Sequence, residues 1–64
     1  MLRDSYDIIR RLQQEGFERI SSKGSHHKFR HRTSKRTVIV PHPRRDIARG
    51  TVISIYRQAG WSKD

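Results

Sequence analysis

From Ser25 to His31 the chain carries one large apolar side chain, Phe29. A strand sends successive side chains to opposite faces, so Phe29 alone decides which face of this stretch turns inward. It places His27 and His31 on the core side and His26, Lys28 and Arg30 on the outer side. The economy is forced by size. The 64 residues are 31% hydrophobic and 33% charged, and below roughly 70 residues one apolar core leaves only a few kcal/mol of net stability. A single domain spanning residues 1–64 is therefore expected, with little room for an enclosed pocket.

The rest of the chain sorts by periodicity. Asp4 or Ser5 can cap a helix, and Asp7 complements its N-terminal dipole. Ile8, Ile9 and Leu12, with Tyr6 nearby, form a stripe at helical spacing that Gly16 stops. Phe17 to Ser22 is short and β-prone, and Lys23-Gly24 supplies a turn into the Phe29 strand. Thr33 to Arg36 reads as a polar hairpin connection. Thr37 to Val40 is β-branched throughout and ends at Pro41, which has no N–H to continue a ladder. After Pro41-His42-Pro43, Asp46 or Thr51 is the expected cap of a second helix. Its apolar residues Val52, Ile55, Tyr56 and Ala59 sit at i, i+3, i+4 and i+7, and Gly60 ends it. Trp61 is expected to fold back on the helices, and Tyr56 to bring its hydroxyl to the rim. The predicted order is helix, three antiparallel strands, helix: an α+β fold with both helices on one sheet face and the other face left for a ligand.

Charge placement says what class of ligand that is, RNA or another polyanion. With Lys+Arg at 15 and Asp+Glu at 6, the formal charge is +9, which favours a polyanionic partner. Between Glu18 and Asp46 there is no acid, whereas nine lysines and arginines and all four histidines, His26, His27, His31 and His42, fall there. Ordinary solubility charge mixes both signs. A segment of this kind neutralises phosphates, and the residues expected to meet RNA are Lys23, Gly24, Ser25, Lys28, Arg30, Lys35 and Arg36.

Gly24-Ser25-His26-His27 is the feature that bears chemistry. A glycine turn lets backbone approach a ligand, and the next residues start a strand with an imidazole at its mouth. Near neutral pH an imidazole can take the proton of a ribose 2′-hydroxyl or protonate a 5′-oxygen leaving group. Lys28 and Arg30 on the same face would stabilise the charge that develops on the phosphoryl oxygens. A surface histidine that only hydrogen-bonds phosphate is the competing reading. The histidine spacing fits no zinc arrangement, and no cysteine or carboxylate in the segment completes a metal shell. No metal or other cofactor is expected. His42, held between two prolines, reads as structural. The absence of cysteine fits a reducing compartment, no stretch has the apolar length of a membrane span, and a cytoplasmic protein is expected.

Several of these motifs together, Gly24 to His31, Thr37 to Pro43, and Gly50-Thr51-Val52 with Ile55 and Gln58-Ala59-Gly60-Trp61, resemble the HicA family of toxins from bacterial and archaeal toxin–antitoxin pairs. The resemblance covers nearly the whole chain. It implies a fold similar to the double-stranded RNA-binding domain, an mRNA-cleaving activity that arrests translation, and a neutralising HicB antitoxin that covers the active site. The family's catalytic histidine follows a Gly-Ser pair, a position that falls on His26, with His27 as the fallback. The chain departs from the family at Arg32, where a proline often follows the histidine at position 31.

The expected function is thus a translation-blocking endoribonuclease toxin in which His26 acts without a metal. The second proton-transfer group stays open among His27, His42, a lysine and water. A non-catalytic RNA-binding module and an interaction subunit facing an acidic protein are the alternatives.

Overall fold

The computed structural model describes all residues from 1 to 64. Helix α1 spans Ser5–Gln14, strands β1, β2 and β3 span Phe17–Lys23, His26–His31 and Thr37–Pro41, and helix α2 spans Arg49–Ala59. The strands form one antiparallel sheet in the order β1-β2-β3. The predicted order of elements and the α+β class are those observed.

Phe29 does what its isolation in the sequence requires. It is buried and joins Val38 and Val40 of β3 and Phe17 of β1 in one core with Ile8 and Leu12 of α1 and Val52, Ile55 and Tyr56 of α2. Both helices therefore cover the same sheet face. Each buried large aliphatic or aromatic side chain contributes about 1.5–3 kcal/mol by leaving water, so these few residues carry the fold. Ile47, in the segment before α2, is buried as well, and its N–H donates to the Arg3 carbonyl at 2.9 Å.

The helix ends differ from each other. Asp4 caps α1, accepting from the Tyr6 N–H at 2.9 Å. Neither Asp46 nor Thr51 caps α2, whose N-cap residue is Ala48, with no side-chain cap bond. Asp46 pairs with Arg3 at 3.0 Å instead. The entry to α2 is set by the buried Ile47 and its backbone bond, so a side-chain cap has little left to fix. Gly60 ends α2 in the left-handed conformation. Trp61 folds back as expected, donating from Nε1 to Glu15 Oε1 at 2.6 Å beneath the Arg11 guanidinium, which lies 4.0 Å from its ring. The Tyr56 hydroxyl is not at an open rim. It accepts from the Leu2 N–H at 2.7 Å and donates to Asp64 at 3.0 Å, and burial raises the phenol's pKa above its ordinary value.

Two irregularities set which side chains the sheet presents outward and how its border ends. A β-bulge at Ile20 breaks the β1–β2 register, so that Arg19 pairs with Phe29 and Ser21 with Lys28. On β3, the outward amide of Ile39 donates 2.8 Å to the side-chain oxygen of Gln58 from α2.

Candidate nucleic-acid interface

The sheet face away from the helices carries Glu18, Ser21 and Lys23 from β1, His26, Lys28 and Arg30 from β2, and Ile39 from β3, as strand alternation and the registers require. Ser21, Lys23, His26, Lys28 and Ile39 line one shallow groove on it, of about 340 Å³. Lys23 lies directly across the ladder from His26, and Ser21 directly across from Lys28. His26 is exposed, and neither it nor Lys23, Ser25 or Lys28 spends its side chain on any bond within the protein. The β1–β2 turn at the groove's end, Gly24-Ser25, is held by one backbone bond, from the His42 N–H to the Ser25 carbonyl at 2.7 Å.

The other residues expected to meet RNA are not gathered there. Arg30 is on the same face but further along β2, opposite Glu18, in a separate depression that also holds Ile20, Arg32 and Lys35. Lys35 and Arg36 belong to the β2–β3 hairpin, Lys35 at the edge of that depression and Arg36 outside it. Lys35 donates to the Arg32 carbonyl at 3.1 Å, and Arg36 reaches back to the Gln58 carbonyl at the end of α2 at 3.4 Å. Ser21 and Ile39 complete the groove without having been singled out from the sequence. The alternation of buried Val38 and Val40 around Ile39 was the available signal.

The four histidines fall into three environments. His31 is fully engaged: its Nε2 donates to the Glu15 carbonyl at 2.9 Å, and its Nδ1 accepts from the Thr33 and Ser34 N–H groups at 3.2 Å each. That bonding specifies the tautomer protonated on Nε2. His42 is also tied. Ser5 is buried, its oxygen accepts from the Arg44 N–H at 2.9 Å, and it shares a hydrogen bond of 2.7 Å with His42 Nδ1. His27, on the helix side of the sheet, receives an N–H from Arg19 on Nδ1 at 3.3 Å and meets the His42 ring edge-on with centroids 5.1 Å apart. Its pKa is lowered, by desolvation first and then by the charges of His42 and Arg19. His26 alone is both exposed and free of internal bonds.

Arg32 explains the one departure from the resemblance. Its N–H donates to the Gly16 carbonyl at 3.1 Å, and the hairpin closes normally through His31 N–H to Arg36 O at 2.9 Å. A proline at this position has no N–H to give, so arginine adds a tie between the hairpin and the α1–β1 turn.

A protein-family model described as the HicA toxin of bacterial toxin–antitoxin systems matches residues 5–61. The chain belongs to the HicA toxin family. That match runs from the first residue of α1 past α2 to Trp61, and therefore includes every strand and the whole groove. No curated protein matches the sequence. HicA membership makes this chain a toxin of a toxin–antitoxin pair, with an antitoxin as partner. No helix is long and apolar enough to cross a membrane.

Proposed function

We propose that this HicA chain is an endoribonuclease that cleaves mRNA and so blocks translation in the cytoplasm, with His26 as its catalytic base. The observation that carries the reading is the groove itself: one unengaged imidazole between two unengaged lysines, on a sheet face that no other element covers. His26 takes the proton of a ribose 2′-hydroxyl, the 2′-oxygen attacks the adjacent phosphorus, and the bond to the 5′-oxygen breaks. The products are a 2′,3′-cyclic phosphate and a 5′-hydroxyl. Lys23 and Lys28 stabilise the charge on the phosphoryl oxygens, and either ammonium can supply the proton to the leaving oxygen. Ile39, exposed at 44% in the groove, gives a ribose or base an apolar surface. Arg30 holds a flanking phosphate. The reaction needs no metal.

One observation favours a second reading, in which the face binds RNA without cutting it. The other three imidazoles are engaged elsewhere, so His26 has no second imidazole for the paired acid–base work that phosphodiester cleavage prefers. In both readings an antitoxin of the HicB kind covers this face, where exposed Ile20 and Ile39 accompany the cations. The deciding experiment incubates wild type and His26→Ala with single-stranded RNA and determines the end groups. Cyclic phosphate ends from wild type alone support cleavage by His26. Intact, salt-sensitively bound RNA from both proteins supports the binder.

A further inference from the structure

A second cationic cluster lies on the opposite side of the sheet. Tyr6, Ile9 and Gln13 stand at i, i+3 and i+7 on one flank of α1. Ile9 and Gln13 line a depression of about 390 Å³ with Arg19 of β1, Phe29 of β2 and His42 at the exit of β3. His27 adjoins it, 3.3 Å from Arg19 and ring to ring with His42, which in turn meets Tyr6 edge-on at 4.7 Å.

The groups here are donors with little to donate to. Arg19 makes no ion pair and gives one N–H to His27. Ser5 occupies His42 Nδ1 and Arg19 donates to His27 Nδ1, which leaves Nε2 of each ring without a partner. The Gln13 amide has none either. The depression itself is lined by no carboxylate. Of the acids at the start of α1, the N-cap Asp4 is occupied by the Tyr6 N–H and Arg45, and Asp7 by Arg10. The Arg19 guanidinium thus has no counter-ion here, and the pKa of His27 beside it is lowered by desolvation first and then by the charges of His42 and Arg19.

We propose that Arg19, His27, His42 and Gln13 form a second phosphate site, on the helix side of the sheet, that takes a backbone phosphate of the bound RNA. The assignment to RNA rests on the proposed RNA-binding role of the outer face. His26 and His27 are consecutive and point to opposite faces, so the two sites stand back to back across β2. The path between them runs round the Gly24-Ser25 turn, where a methyl group added at Gly24 would meet nothing within 4 Å. A strand of RNA bent round that turn touches both sites. A short oligonucleotide reaches only one.

Two measurements test this. Titration of the ¹⁵N-labelled protein with inorganic phosphate is expected to move the His27 and His42 ring signals and the Arg19 Nε–H saturably, to raise the His27 pKa, and to lose these responses in Arg19→Gln. Rings that do not move, or move equally in the variant, overturn the site. The second measurement follows binding of a ten-nucleotide RNA, made uncleavable by deoxyribose, across a salt series. Arg19→Gln is expected to weaken binding about fivefold and to reduce the slope of log affinity against log salt by about one, whereas Arg57→Gln, on the exposed side of α2, leaves the slope as it was. A phosphate response with an unchanged slope overturns the RNA assignment. Wild type that leaves normal RNA uncut while both responses hold removes the cleavage reading and supports the site.

Discussion

The two ends of the sheet use the same kinds of residue in opposite ways. At the hairpin end, between β2 and β3, polar groups are spent internally. His31 bridges Glu15, Thr33 and Ser34, Arg32 bonds Gly16, Lys35 bonds Arg32, Ser34 accepts from Arg36, and Arg36 reaches α2. At the turn end, between β1 and β2, Lys23, Ser25, His26 and Lys28 make no side-chain bond at all. A basic, histidine-containing segment therefore does not act as one surface: one half holds the fold together and the other half keeps its side chains unpartnered. Which half a residue belongs to depends on what lies across from it, not on its type.

The sharpest way to break this comparison is to truncate the same residue type at each end. His26→Ala is expected to cut the cleavage rate by about 10²–10⁴ and to leave the melting temperature unchanged, measured by initial rates and thermal unfolding on the same preparation. Loss of stability in this variant would put His26 among the structural residues. His31→Ala is expected to do the reverse, costing about 1–3 kcal/mol in urea unfolding while the folded fraction still cuts RNA. For a chain whose whole stability is only a few kcal/mol, that is a large share.

The two turn glycines extend the contrast. Gly16 has φ +96° and an added Cβ would stand 3.1 Å from His31 Nε2, whereas Gly24 has φ +57° and open space around it. Both substitutions to alanine carry the backbone cost of about 1 kcal/mol, and Gly16→Ala is expected to exceed Gly24→Ala because it also disturbs His31. Equal urea midpoints would show that the His31 bridge adjusts freely.

The smallest effect expected is on pH dependence. The His27 pKa is depressed in the folded state, so the unfolded chain binds that proton first as pH falls. The stability associated with this group is complete above the ordinary histidine value near 6.5 and declines below it. In His27→Gln the fall in urea midpoint between pH 7.5 and pH 5 is expected to be shallower than in wild type.

What could be read from the sequence, and what could not, depends on the distance over which residues act. The strand alternation around Phe29 and the helical stripes of Ile8 and Leu12 and of Val52, Ile55 and Ala59 are local patterns, and the core follows them. The same alternation separated His26 from His27. Bonds that span the chain were not legible. Nothing near Arg36 announces the α2 carbonyl 22 residues later, nothing near His31 announces Glu15 on the far side of β1, and the capping role expected of Asp46 or Thr51 was displaced by the burial of Ile47. In the run Thr37 to Val40 every residue is β-branched, so composition does not say which side chains face inward, and the pleat turns Ile39 outward beside His26.

The contact between Gln58 and Ile39 has a consequence for how these molecules associate. Outward-facing amides alternate along an edge strand, so those of β3 fall at Thr37, Ile39 and Pro41. Proline has none, and Gln58 occupies the one at Ile39. Of the outward donors along β3, only the Thr37 N–H remains for another strand. The β3 border is therefore a poor template for an added strand, and the bulge in β1 interrupts the ladder at the other border.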